Sequence, residues 1–137
     1  MGLVLDSTVF IAAERRGLSV RQTLADIGSR FPGEQFELSV ITLVELAHGA
    51  ARADTRERRA ARQQYLNELT IASSLHPVTI SIALRAGRID GESTARGIRI
   101  ALPDLLIGVT ALELGYGVAT ANLRHFQAIS GLVVVSV

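Results

Sequence analysis

The chain has 137 residues, 48% of them hydrophobic but only 4% aromatic, and a net charge of +1. That is the length of a single domain spanning 1–137, with a core built from Ala, Val, Leu and Ile, and the absence of cysteine excludes disulfides and thiolate metal sites. No apolar run reaches the roughly 18–20 residues of a membrane span, and the early segment GLVLDSTVFIAA is broken by Asp6 and lacks a basic start, so a cytoplasmic protein is expected.

LVLD (3–6) is a short apolar run ending in a polar residue, the pattern of a buried parallel strand. A helix is expected from about Ser7 and another over 19–30, stopping before the turn signal Phe31-Pro32-Gly33. QFELS (35–39) reads as a second strand, and Ser39 is a suitable N-cap for an apolar helix running to about Ala51. Residues 54–74 form a long polar helix capped by Asp54 or Thr55, with its apolar positions Tyr65, Leu66, Leu69 and Ile71 near the C-terminal end. Pro77 confines LHPVT to a sheet edge or a connection. Residues 79–96 are read as helical with Ile80, Ala83, Leu84 and Gly87 facing inward, and a further helix runs from Pro103 to Leu114, ended by Gly115. YGVAT (116–120) and LVVVS (132–136) are expected to be buried strands separated by a helical turn around 123–127. Strands alternating with helices indicate an α/β fold with a mainly parallel sheet of four to five short strands and helices on both faces. In such sheets ligands bind beyond the carboxyl ends of the strands, which directs interest to the residues after LVLD and GVAT.

Three acids fall at that edge or on helices expected to pack there. Asp6 ends the first strand, where it also suits an N-cap. Glu45 lies in SVITLVELAHGA, a helix apolar on almost every side; it must reach solvent, pair with an arginine such as Arg52, or coordinate something. Asp104 follows Pro103 at a helix start, where the dipole favours an acid. Converging carboxylates would raise one another's pKa values, and a divalent cation relieves that repulsion. All-oxygen donors suit Mg²⁺ or Mn²⁺, the ions of phosphodiester hydrolysis.

All fourteen basic residues are arginine. Five of them, Arg52, Arg56, Arg58, Arg59 and Arg62, fall within eleven positions. Arginine is the better bidentate partner for phosphate, although an arginine-only, alanine-rich chain is also what GC-rich coding produces. The near-neutral charge argues neither for nor against nucleic acid.

The segments LVLDSTVFI, SVITLVELAHGA, IALPDLLIGVTALELGYGVATANLRHF and GLVVVSV resemble those of the PIN-domain family, specifically the VapC-type toxins of type II VapBC toxin–antitoxin systems. The resemblance spans essentially the whole chain in order and spacing. It implies a three-layer α/β/α domain and a Mg²⁺- or Mn²⁺-dependent endoribonuclease that acts on RNA to arrest growth. It also implies a homodimer and a VapB-type antitoxin. Carried over by position, Asp6, Glu45 and Asp104 correspond to the metal-holding acids, with Ser7 and Thr120 as hydrogen-bonding neighbours. Asn122 stands where many members of the family have a fourth acid; an amide brings no charge, which leaves open a one-ion or two-ion site and slow catalysis. Glu92 is a candidate substitute acid or a solvated surface residue. Arg52, Arg56, Arg59 and His125 are candidates for contacts with RNA or antitoxin, or form a solvated face; His48 and His76 read as structural or solvated.

The alternative is a PIN-like module that binds RNA or a partner but cleaves weakly or not at all. Other classes lack their motifs: DSTVF has Thr8 where an aspartyl-phosphate phosphatase needs a second Asp, the paired acids of a receiver domain are missing, and there is no P-loop or GxGxxG.

Overall fold

Four strand segments rich in Val, Leu and Ala are short and flanked by helices, so their backbones can be satisfied only by pairing side by side between helical layers. The structure, a computed structural model, describes residues 1–137. Strands β1 (Gly2–Leu5), β2 (Gln35–Ser39), β3 (Leu75–His76), β4 (Gly117–Thr120) and β5 (Val134–Ser136) form one sheet in the order β3-β2-β1-β4-β5. Every pairing is parallel. Chain order reverses at β1, so the crevice between the ends of β1 and β4 is the topological switch point of this sheet.

Six helices cover it: α1 (Ser7–Arg15), α2 (Val20–Arg30), α3 (Val40–Ala51), α4 (Arg56–Ala72), α5 (Ile80–Ala95) and α6 (Leu102–Leu114). The period-2 alternation of β1 sorts the two cores. Val4 and Val118 pack with Ile82, Leu105, Val109 and Phe126 on one face. Leu3, Leu5 and Ala119 pack with Phe10, Val20, Ile27 and Leu69 on the other. The three-layer α/β/α architecture is therefore present, and no helix is long and apolar enough to cross a membrane.

Local signals set most helix starts. Ser19 closes a capping box with Gln22 at α2, Ser39 caps α3, and Thr79 caps α5. At α4 the cap is Thr55, not Asp54, which instead pairs with Arg58 at 2.8 Å. Gly115 ends α6 with φ 70°, a conformation that suits only a residue without a Cβ.

Two expectations are corrected. Helix α5 buries Ile82, Ala86 and Ser93, and turns Ile80, Ala83, Leu84 and Gly87 outward. Ile80 is 82% and Leu84 71% exposed. Both faces of this helix carry apolar residues at helical spacing, so periodicity alone does not say which one meets α6. Nor is the last strand buried: β5 is shorter than LVVVS and only half-buried, because it is the sheet's edge and has a neighbour on one side alone.

Candidate active site

Asp6 is the first residue past β1 and the N-cap of α1, with only 1% of its surface exposed. Its backbone N–H donates to Ala119 O at 3.0 Å, tying the strand end to β4. Its carboxylate is held by one oxygen. Oδ2 accepts from Thr8 Oγ1 at 2.6 Å and Thr120 Oγ1 at 2.9 Å, with a longer 3.4 Å approach from Thr8 N. The two hydroxyls lie 3.1 Å apart, and with both protons committed to Asp6 they accept in turn: Thr8 from Ala121 N and Thr120 from Asn122 N, each at 3.0 Å. Oδ1 accepts no hydrogen bond from the protein.

Glu45, on the second turn of α3, accepts a 3.0 Å hydrogen bond from Ser7 Oγ. No arginine pairs with it. Burial pushes its carboxyl above the ordinary 4.5; the Ser7 hydrogen bond pulls it back, and the charges of Asp6 and Asp104 push it up again. Asp104, in the first turn of α6, is 8% exposed. Burial raises its carboxyl above the ordinary 3.8, His125 opposes that rise, and Asp6 adds to it. For both acids desolvation is the largest cause, ahead of the mutual repulsion anticipated from sequence.

The three acids thus share the carboxyl end of the sheet and feel one another's charge. They do not form a closed cage: no three Asp, Glu or His side chains stand close enough to hold an ion among themselves. That looser arrangement fits a small hard cation. Mg²⁺ keeps several waters and takes only one or two carboxylates directly, so the remaining acid can act through water. The donor set is all-oxygen, and an ion would relieve the cost of two desolvated carboxylates.

Of the remaining sequence candidates, Ser7 and Thr120 touch the acids directly. Asn122 Nδ2 lies 2.9 Å from His125 Nε2, and His125 Nδ1 lies 3.4 Å from Asp104 Oδ2. Glu92 is exposed on α5 and makes no hydrogen bond or ion pair with the cluster. Arg52 and Arg56 are also exposed, Arg59 donates to Ala53 O at 3.1 Å, and none of the three pairs with the acids. His76 Nδ1 sits against Pro77 O, and His48 lies exposed on α3. Sequence reasoning missed Thr8, valued only as a mismatch to a phosphatase motif. Its signal was available: it is the second residue after an N-cap Asp, the position whose N–H a capping side chain seeks.

A groove of about 230 Å³ runs away from Glu45 between α1, α3 and α4, with Phe10, Ile11, Leu46, Tyr65 and Leu66 as its apolar lining and Glu14 and Arg62 among its charges. Arg62 is pinned there by Glu14 at 3.6 Å and by Gly49 O at 3.1 Å.

The family model described as "PIN domain" matches residues 3–132. The chain belongs to the PIN-domain family. Among curated relatives, this PIN domain is 29% identical to "Ribonuclease VapC1" of Rickettsia felis over 100% of the chain and 97% of that protein. Among solved structures it is similar to VapBC-1 from nontypeable Haemophilus influenzae, with TM-score 0.79, 25% identity, and coverage of 99% and 98% of the two chains. It also shares its fold with VapBC2 from Rickettsia felis, solved bound to a DNA fragment from its promoter, with TM-score 0.80 at 19% identity over 100% and 99% of the chains.

Proposed function

We propose that this PIN domain is a Mg²⁺- or Mn²⁺-dependent endoribonuclease, the toxin of a VapBC-type pair, held off by a VapB-type antitoxin. The observation that carries the catalytic reading is the end-on fixing of Asp6 at the switch point, with Glu45 and Asp104 desolvated beside it. The relatives named as VapC ribonucleases, and the VapBC complex at 25% identity, support the substrate class and the partner.

In this reading Asp6 Oδ1, Glu45 and Asp104 hold the cation directly or through water. Once bound, it lowers the pKa of an attacking water and offsets charge on the RNA phosphodiester. The protein's share is positioning. Thr8 and Thr120 fix the Asp6 rotamer, Ser7 fixes Glu45, and the first turn of α6 brings Asp104 to the same edge. Asn122, the sole sequence support for a non-cleaving module, is engaged with His125.

The test is Asp6→Asn. The two threonine hydroxyls dictate which way the amide sits, with its oxygen where Oδ2 was and its NH₂ where Oδ1 faced the ion. Folding and the α1 cap are retained, while RNA cleavage should fall about 100-fold or more, as expected for loss of several kcal/mol of metal catalysis. Metal-dependent cleavage retained by Asp6→Asn would sink the assignment.

The partner surfaces are assigned from the apolar features left open. The groove beside Glu45 is the seat proposed for an antitoxin segment, because an occupant there ends at the catalytic acids. The outward face of α5 is proposed as the homodimer surface, since exposed Ile80 and Leu84 on one face ask for cover.

A further inference from the structure

The segment after β4 forms a short 3-10 turn, Leu123–His125, whose N-cap is Asn122. Residues three apart eclipse one another in this geometry, so the Asn122 amide and the His125 ring fall on the same side. The backbone bond from His125 N to Asn122 O at 3.3 Å closes the turn, and fully buried Phe126 with 3%-exposed Ile129 anchors the next few residues in the core. The pair is therefore held on a rigid base although the His125 side chain itself is 46% exposed.

The protons determine what the pair can do. With Asn122 Nδ2 donating to Nε2 across 2.9 Å, the ring carries its hydrogen on Nδ1. With the amide turned over, Nε2 donates to the amide oxygen instead. His125 Nδ1 stands 3.4 Å from Asp104 Oδ2, at ion-pair distance and without the alignment of a hydrogen bond. Asp104 itself starts a helix whose N-cap, Ala101, provides no side-chain hydrogen bond. Apart from His125, no side chain holds this carboxylate.

We propose that Asn122 and His125 are positioning residues for Asp104: the amide orients the imidazole, and the imidazole standing against Oδ2 restrains the carboxylate. The inference rests on Asp104 being a metal ligand. It gives a task to the amide that replaces a fourth acid: Asn122 acts on the ion through His125 and Asp104 instead of adding charge.

Mn²⁺ is the probe, titrated calorimetrically into the full chain without RNA, with folding followed by circular dichroism. His125→Ala should weaken Mn²⁺ binding about 10-fold, the lower end of what loss of a ligand's outer partner costs. Asn122→Ala should give a smaller loss, and the conservative variant His125→Asn, whose amide N–H replaces Nδ1–H, should recover most of the affinity. Asp104→Asn is the control for the underlying reading. If it removes binding while His125→Ala binds as wild type, positioning by His125 is overturned and the metal site stands. Equal losses in His125→Ala and His125→Asn also overturn it, because the N–H would not be the operative group. Unchanged binding in Asp104→Asn overturns both.

Discussion

Asp6 joins two tasks that mutagenesis can separate. As an N-cap it satisfies a helix end, and as a carboxylate it presents one free oxygen to the crevice. Asp6→Ala should therefore lose about 1 kcal/mol or more of stability through the cap alone, whereas Asp6→Asn should unfold at the wild-type denaturant midpoint. Thr8→Val removes the hydroxyl's hydrogen bond to the Asp6 carboxylate, at a cost of about 1.5–3 kcal/mol, and frees the Asp6 rotamer. Its midpoint and its RNA cleavage should fall together. Glu45 and Asp104 act in the opposite direction on stability. Each has a folded-state pKa above its ordinary value, 4.5 and 3.8 respectively, so the folded protein holds protons that the unfolded chain has released. Their contribution to stability is present below those ordinary values and is lost as pH rises through the raised ones. At neutral pH and without metal, Glu45→Gln and Asp104→Asn should melt above wild type. The gap should shrink on acidification, and Mg²⁺ should narrow it by stabilising only the wild type. Differential scanning calorimetry in chelator across pH checks this, and melting at or below wild type in both variants at pH 7 contradicts it.

Elements differ in how openly their sequences state their place. β1, β2 and β4, α1 to α3, and α6 were legible because each carries both a burial pattern and a terminus signal: Asp6, Ser19 and Ser39 as caps, Pro103 and Gly115 bracketing α6. The carboxyl-edge rule then brought Asp6 and Asp104 together before any geometry was known. Helix α5 resisted because Ile80 and Leu84 offer as good an apolar stripe as Ile82 and Ala86, and only packing against α6 distinguishes them. Tertiary links were equally silent, since nothing local says that Thr8 bonds Thr120 or that His125 comes to stand beside Asp104. Close approach adds a further constraint. A Cβ at Gly108 would come 2.5 Å from Ile129 Cδ1. Gly117 is more constrained, since its Cβ would meet the Val133 carbonyl oxygen at 2.9 Å, and backbone yields less than a side-chain tip. Gly117→Ala should destabilise the domain by about 1–3 kcal/mol, read as a lowered denaturant midpoint, by prising β5 from β4.

At the scale of the whole molecule, the surfaces proposed for the antitoxin and for a second copy of the chain lie apart. The groove between α1, α3 and α4 reaches Glu45, while the α5 face lies on the far helical layer. Ile11→Arg should leave the chain able to arrest growth but insensitive to a co-expressed antitoxin, whereas Leu84→Glu should yield monomers in analytical ultracentrifugation. A chain that is harmless when expressed alone in a permissive host would remove most support for the toxin reading. The sheet's connectivity has one more consequence, in time. β1 is the central strand, yet its neighbour β4 is made long after it, and the Thr120–Asp6 bond spans 114 residues. At roughly 5–20 residues added per second, Asp6 leaves the ribosome several seconds before the threonine that aims it. Translation that stops short of β4 therefore releases chains whose Asp6 lacks the Thr120 hydroxyl that aims it.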